Sequence, residues 1–272
     1  MKVAFWNTYG NEHIDSYLCS LVLDNKLDII VMAEYKGDEN QLLNNLLMNN
    51  LIFKKMETNG CTRICAYSVF KNVKPGQQAP YYSIQILNNK YIFCFVHLPS
   101  DLSGSRSDER YLKSTQIIED IQKYEQKYGK EHTIIVGDFN DMPYSSMCLA
   151  ANAFHGLSYC EPRIEQRKVY GDYYQIYYNP MWNLFGDFSF PPGTYYYKDN
   201  SLTTPIWFMF DQVIISPKLK SNFVQKELKI ITKTTYGDLA TRNGHPNKKI
   251  SDHFPIVFEI REENYEIRSN AR

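Results

Sequence analysis

One pattern constrains this chain more than any other: short apolar runs that close on a polar or ionisable side chain. Asn7 follows Val3-Ala4-Phe5-Trp6, Glu34 follows Ile29-Ile30-Val31-Met32-Ala33, and His97 follows Phe93-Cys94-Phe95-Val96. Asp138 and Asn140 close Ile134-Ile135-Val136-Gly137, and Asp252 with His253 stands just before Phe254-Pro255-Ile256-Val257. Runs of this length, rich in Ile, Val and aromatic residues, read as buried strands. The end of a strand is a rigid platform for a site. If these ends converge, one pocket holds carboxylates, amides and imidazoles together.

Between the runs, the first half of the chain alternates strand and helix. Asn11 is placed to cap a helix with Ile14, Tyr17, Leu18, Leu21 and Val22 on one face. Asp38 caps a second, with Gln41 in capping-box position and Leu42, Leu43, Leu46 and Leu47 inward. Strand character dominates residues 51–98, with turns expected at Pro75-Gly76 and Asn88-Asn89. A long amphipathic helix follows, capped by Ser107 and ended by Gly129, with Ile117, Ile118, Ile121, Tyr124 and Tyr128 as its apolar stripe. Residues 155–205, rich in Tyr, Pro, Gly and Asn, read as long loops with short strands, a kind of segment that is usually functional or mobile. Strands return at 206–215, 228–232 and 254–260. No repeat or linker divides the chain, so residues 1–261 are expected to form one domain, followed by a charged tail over 262–272.

Formal net charge is zero. Bulk charge therefore gives no support for nonspecific nucleic-acid binding, while a local basic groove stays open. The six cysteines read as reduced, buried small hydrophobes; Cys61 and Cys65 have no second pair nearby with zinc-ligand spacing. The opening Met1-Lys2-Val3-Ala4-Phe5-Trp6 reads as a strand rather than a secretory leader, and no apolar run is long enough to span a membrane. A cytoplasmic location is the expectation.

The mixture of polar residues has a chemical logic. Carboxylate and carbonyl oxygens select hard cations such as Mg²⁺ or Mn²⁺ over zinc. Such an ion polarises a phosphoryl oxygen, and a histidine beside an aspartate works as acid or base near neutral pH. Taken singly, each residue also has an ordinary reading. Asn7 is a turn former, Glu34 a solvated loop residue, Asp138-Phe139-Asn140 an Asx-turn and His97 a satisfied histidine. Asp211 resists that treatment. A carboxylate between Trp207-Phe208-Met209-Phe210 and Val213-Ile214-Ile215 is costly unless paired, and His253 would answer the cost.

Six segments in order, from the first strand to the last, resemble the endonuclease/exonuclease/phosphatase superfamily, which contains pancreatic-type deoxyribonuclease and exonuclease III. They are Trp6-Asn7, Ala33-Glu34, Val96-His97-Leu98-Pro99-Ser100, Gly137-Asp138-Phe139-Asn140-Asp141, Phe210-Asp211-Gln212-Val213 and Ser251-Asp252-His253-Phe254-Pro255-Ile256. The resemblance implies an α+β fold: a four-layer α/β/β/α sandwich of two mixed β-sheets flanked by helices. It implies a metal-dependent phosphoesterase with Mg²⁺, or Mn²⁺, as cofactor. Glu34 would be the principal metal ligand, with Asn7 beside it and Asp252 sharing the ion. Asp138 and Asn140 would orient the water and the phosphate. His253, paired with Asp211, would be the general base or a phosphate-stabilising imidazole, and His97 would donate to a phosphate oxygen. The chain also departs from the pattern. Residues 62–70 contain no Asp or Glu to partner His97, and Gln212 stands where an aromatic residue or arginine is often found.

Fold and core residues do not choose the substrate; the loops do. Those over 100–110, 155–205 and 234–250 carry Arg106, Arg110, Arg163, Arg167, Lys168, Arg242, Lys248 and Lys249. They read as a phosphate-tracking groove or as ordinary solvated surface. The loop tyrosines, Tyr170 and Tyr196 among them, read as base-stacking platforms or as packing. Arg106, Arg110, Tyr170, Tyr196 and Arg242 are the candidates for substrate contact. The expected activity is a nuclease acting on DNA or RNA. The alternative is a phosphatase or phosphodiesterase acting on an inositol phosphate, a phospholipid or a nucleotide. If His253 is the base, activity should fall as it protonates below about pH 6–7.

Overall fold

Strands buried on both faces need a covering layer on each side. The structure, a computed structural model describing residues 1–100, 106–200 and 202–261, supplies four layers. The expected tail over 262–272 and part of the 100–110 loop lie outside the described residues. One sheet runs, edge to edge, Lys229–Ile230, Ile256–Glu259, Lys2–Asn7, Ile29–Ala33, Ile64–Ser68, Lys54–Lys55. Its Lys2–Asn7 and Ile29–Ala33 strands are parallel neighbours. The second runs Val73–Ala79, Tyr82–Leu87, Tyr91–His97, Thr133–Asp138, Asp211–Ile215, Tyr177–Tyr178, Gly156–Leu157. Here Tyr91–His97 and Thr133–Asp138 are parallel, while Asp211–Ile215 runs antiparallel to the latter.

The two-residue period of each strand sorts its side chains between layers. Val3, Phe5, Val31, Phe93, Phe95, Ile134, Val136, Val213 and Ile215 pack between the sheets. Their neighbours Ala4, Trp6, Ile30 and Met32 pack instead with Leu18 and Leu21 of the helix Asp15–Asn25 and Leu42 and Leu46 of the helix Glu39–Met48. On the far side, Ile92, Cys94, Val96, Ile135 and Ile214 pack with Ile117, Ile118 and Ile121 of the helix Ser107–Tyr128. Each fully buried large apolar side chain is worth ~1.5–3 kcal/mol. A polar residue is therefore cheapest at the end of a row, where the sandwich opens.

Asp38 caps its helix as expected, accepting from the backbone N–H groups of Asn40 at 2.9 Å and Gln41 at 3.1 Å. The other caps differ. Ile14 holds the cap position of its helix, and Asn11 instead accepts from the His13 N–H at 2.8 Å. Ser107 is the first helical residue, with Arg106 before it. Pro75-Gly76 is not a turn but a bulge, with pairing shifted between Pro75 and Gln78. Its strand is an edge, where a missing N–H is tolerated. Asn88 and Asn89, at φ 55 and 53, make the expected tight turn.

The stretch over 155–205 yields two ribbons at opposite ends of the sandwich. One pairs Gln166–Val169 with Asp172–Gln175; it lies toward the Ile215 end of its sheet, because Tyr178, just after it, pairs with Ile215. The other pairs Tyr195–Tyr196 with Trp207–Phe208 and is bridged to His253. All six cysteines are unpaired, and five are buried, as expected. No helix among the described residues is long and apolar enough to cross a membrane.

Candidate active site

Strand parity decides which side chains meet. His97 continues the inter-sheet row of Phe93 and Phe95, Asp138 that of Ile134 and Val136, Asn7 that of Val3 and Phe5, and Asp211 precedes Val213 and Ile215 on theirs. Register then places His97 opposite Asp138, and Asp138 opposite Asp211. Across the sandwich, Asn7 Nδ2 donates to Asp138 Oδ2 at 3.0 Å. The ends converge.

Asp138 is nearly fully buried. Its Oδ1 accepts from the Asn140 N–H at 2.8 Å, and Asn140 Nδ2 donates to the Leu98 carbonyl at 2.9 Å. The Asx-turn and the site are thus the same object. Two imidazoles face Oδ2: His97 Nε2 at 3.8 Å and His253 Nε2 at 4.0 Å. Gly137 allows the strands to close here, since a Cβ on it would lie 1.9 Å from the Val96 carbonyl oxygen. His97 Nδ1 is buried with no hydrogen-bond partner, consistent with the lack of an acid over residues 62–70.

His253 is fixed on three sides. Its N–H donates to Ser251 Oγ at 3.0 Å, its carbonyl accepts from the Trp6 indole at 2.9 Å, and its Nδ1 lies 2.8 Å from Asp211 Oδ2. Burial opposes the imidazolium, but Asp211, Asp138 and Asp252 outweigh it and push His253 up to about 10. Burial pushes Asp211 up as well, so the pair holds its protons jointly. Thr194 steadies Asp211 from behind, accepting from its backbone N–H at 3.2 Å.

Glu34 adopts a left-handed backbone, φ 54, a strain of about 1–3 kcal/mol for a residue with a side chain. Its carboxylate is half-exposed at the mouth, with Oε1 3.5 Å from His97 Nε2. Asp252 is mostly buried, and its Oδ1 has no hydrogen-bond donor. Burial raises its pKa; His253 opposes this, and the charge of Glu34 adds to it. Two carboxylates with oxygen to spare fit a hard cation. Asn7 has less to offer, because its Oδ1 already accepts from the Tyr9 N–H at 3.0 Å and keeps one lone pair. Asp138, Asp211 and His253 also bring donor atoms within 4.8 Å of one another. The hydrogen bond between Asp211 and His253 occupies that space, so this trio is built to hold protons.

Against solved structures, the 3′ phosphatase NExo from Neisseria, bound to a product DNA hairpin, matches with a TM-score of 0.58 at 15% identity, over 96% of this chain and 100% of that one. An AP endonuclease from Archaeoglobus fulgidus gives 0.55 at 14%, over 96% and 100%. TDP2 from D. rerio, complexed with a single-strand DNA product, gives 0.55 at 14%, over 96% and 99%. The chain has the deoxyribonuclease I-like fold. No protein-family profile and no curated protein sequence matches it.

On this deoxyribonuclease I-like frame the substrate candidates separate. Arg106 is half-exposed where the helix Ser107–Tyr128 begins, beside Glu109 at 3.7 Å. Arg110 is not a groove cation. It is buried, with Nε donating to Asp141 Oδ2 at 3.3 Å and Nη1 to the Pro99 carbonyl at 3.2 Å, and so ties the loops after His97 and Asp138 together. Gln212 joins the same brace, donating to the Asp141 carbonyl at 2.8 Å. Tyr196 stacks on His245 at 3.6 Å, and Arg242 lies in the turn that carries His245, so these two share one rim. Tyr170 is fully exposed at the tip of the ribbon Gln166–Val169/Asp172–Gln175, away from the site, and Arg167 and Lys168 go with it. The separation has a topological cause: a loop's composition is legible in sequence, but the end of the sheet it leaves from is not.

Tyr195, one of the loop tyrosines read as stacking platforms or as packing, lies against the site. Its ring lies 4.8 Å from the His253 imidazole and stacks on Phe210 at 5.2 Å. Burial and then Asp252 push its hydroxyl up to about 12. Thr194 was not among the sequence candidates. The one signal available was its position in the aromatic stretch before Asp211.

Proposed function

We propose that this chain is a divalent-metal-dependent phosphodiesterase acting on nucleic acid. The observation that carries the reading is the fixed line of Asp211, His253 and Asp138, with the Glu34 carboxylate at the mouth and an Asp252 oxygen that has no hydrogen bond. Glu34 and Asp252, with Asn7 beside them, would hold Mg²⁺ or Mn²⁺, which when bound supplies positive charge against a phosphoryl oxygen. Asp138 is locked by Asn7 and Asn140, so its carboxylate can orient a water and take its proton as the water oxygen bonds to phosphorus and the P–O ester bond breaks, the leaving sugar oxygen taking a proton from solvent. His253 keeps its proton at neutral pH and donates from Nε2 to a phosphate oxygen, while Asp211 holds the ring in place. This favours the phosphate-stabilising role over the general base. Activity would then be lost on the alkaline side, at a lower pH once a dication is bound nearby.

Nucleic acid as substrate is supported by the DNA products held by NExo and TDP2. NExo is described as a 3′ phosphatase, which favours removal of a terminal phosphate from DNA as the second reading.

The test is a gel assay of end-labelled single- and double-stranded DNA and RNA with Mg²⁺, Mn²⁺ or EDTA, comparing the wild type with His253→Ala. Cleavage that needs metal and is lost in the variant is the expected result. Intact polynucleotide in every lane, with turnover of inositol phosphates or free nucleotides instead, would overturn it.

A further inference from the structure

The two backbone carbonyls that hold Glu34 and His97 in place belong to Arg63, which is exposed, and Tyr81, which is half-buried. The Glu34 N–H donates to the Arg63 carbonyl at 3.2 Å, and the His97 N–H donates to the Tyr81 carbonyl at 2.9 Å. Arg63 and Tyr81 are therefore direct neighbours of the site, on the rim opposite Tyr196 and His245. Their side chains meet. The Arg63 guanidinium lies 5.0 Å from the centre of the Tyr81 ring, and Lys113 Nζ, from the long helix, lies 5.9 Å from the same centre. Neither cation has a carboxylate partner among the described residues. Other cations of the chain are held by carboxylates, such as Lys130 on Glu165 at 2.5 Å and Lys218 on Glu165 at 2.8 Å.

We propose that Arg63 and Lys113, gathered on Tyr81, bind the non-reacting phosphate next to the one being cleaved. A guanidinium packed over a ring keeps its N–H edge free for a planar anion, and the stack limits the freedom lost on binding. Two cations without carboxylate partners at one rim place positive charge beside the Glu34 carboxylate at the mouth of the pocket. A substrate with one phosphate cannot use them; a nucleotide strand can, because its next phosphodiester follows the reacting one. The platform rests on the phosphodiesterase reading above and deepens it. It selects a strand over a single ester, and it acts through the backbone, without reading bases.

The experiment compares a dinucleotide, with one phosphodiester, to a tetranucleotide, for wild type, Arg63→Ala, Lys113→Ala and the far-end charge control Arg167→Ala, with Mn²⁺ present. The wild type and Arg167→Ala should prefer the tetranucleotide. Each platform variant should raise KM for the tetranucleotide about tenfold more than for the dinucleotide, the loss expected for one charge-assisted contact. The slope of log kcat/KM against log salt should become shallower by about 1 per cation removed. Equal losses on both substrates, or an unchanged preference, would overturn the platform while leaving the phosphodiesterase reading intact. A wild type that cleaves neither nucleotide would instead sink that reading, and the platform with it.

Discussion

The seven-stranded sheet buries an acid at each end, and the two are kept in different ways. At one end Asp211 meets His253 at 2.8 Å. At the other, Glu125 Oε1 accepts from the hydroxyls of Thr133 at 2.5 Å and Tyr177 at 3.0 Å, and from Gln175 Nε2 at 3.1 Å. Neutral donors satisfy a carboxyl group but cannot exchange a proton with it near neutral pH; an imidazole can. The far end is built to hold the helix Ser107–Tyr128 on its sheet. Each end leaves a buried carboxylate oxygen without a hydrogen bond, Glu125 Oε2 at one and Asp252 Oδ1 at the other; what the site end adds is a titratable partner. What separates structural from chemical burial here is the kind of partner, not its depth.

The largest expected effect tests that contrast directly. Asp211→Asn should lower kcat by about 10²–10⁴-fold, the range for a misplaced acid–base group, while circular dichroism stays native. Glu125→Gln should keep kcat at the wild-type value and change only the melting temperature. A Glu125→Gln variant as inactive as Asp211→Asn would erase the distinction between the ends.

The next effect is a stability curve. Burial raises the Glu125 pKa above its ordinary 4.5, against its three hydrogen bonds, and His253 rises from 6.5 to about 10. In both cases the folded chain keeps a proton that the unfolded chain has released, so stability falls as pH rises. The windows differ. The Glu125 contribution is complete below 4.5 and is lost as pH rises through its folded value. The His253 contribution is complete below 6.5 and is lost toward about 10. Urea unfolding in EDTA should show both falls, with Glu125→Gln flattening the acid-side one and His253→Ala the alkaline one. A wild-type curve that is flat between pH 6.5 and 10 would contradict the charge pairing of His253 with Asp211.

The same contrast explains what the sequence disclosed. The site end was legible because strand parity is local: Phe93, Phe95 and His97, or Ile134, Val136 and Asp138, name one face by counting in twos. Asp211 was legible because an acid among Phe210, Val213 and Ile214 demands a partner. Arg110 misled, because its partners Pro99 and Asp141 are set by how two loops meet. The place of Tyr195 against His253, and that of Arg63, stayed hidden for a related reason. One owes its place to a bridge with His253, the other to a carbonyl held by Glu34. Tyr170 looked like a substrate contact until the pairing of Tyr178 with Ile215 put its ribbon at the other end.

The smallest effect separates two glycines of this sheet, one toward each end. At Gly137, beside Asp138, an added Cβ would sit 1.9 Å from the Val96 carbonyl oxygen, a backbone atom that cannot yield without opening the Tyr91–His97/Thr133–Asp138 pairing. At Gly156, on the far edge, it would sit 3.0 Å from Ile214 Cδ1, the end of a flexible side chain. Gly137→Ala should therefore cost ~3 kcal/mol, the upper range for overpacking, and Gly156→Ala about 1 kcal/mol or less. The two should also differ in kind. Parting the strands at Gly137 moves Asp138 from His97, so kcat should fall along with stability, whereas Gly156→Ala should leave kcat alone. Urea unfolding and single-turnover rates on the two variants would decide it. Equal costs, or a Gly137→Ala enzyme that is merely less stable, would mean that the close approach serves packing rather than the alignment of the site.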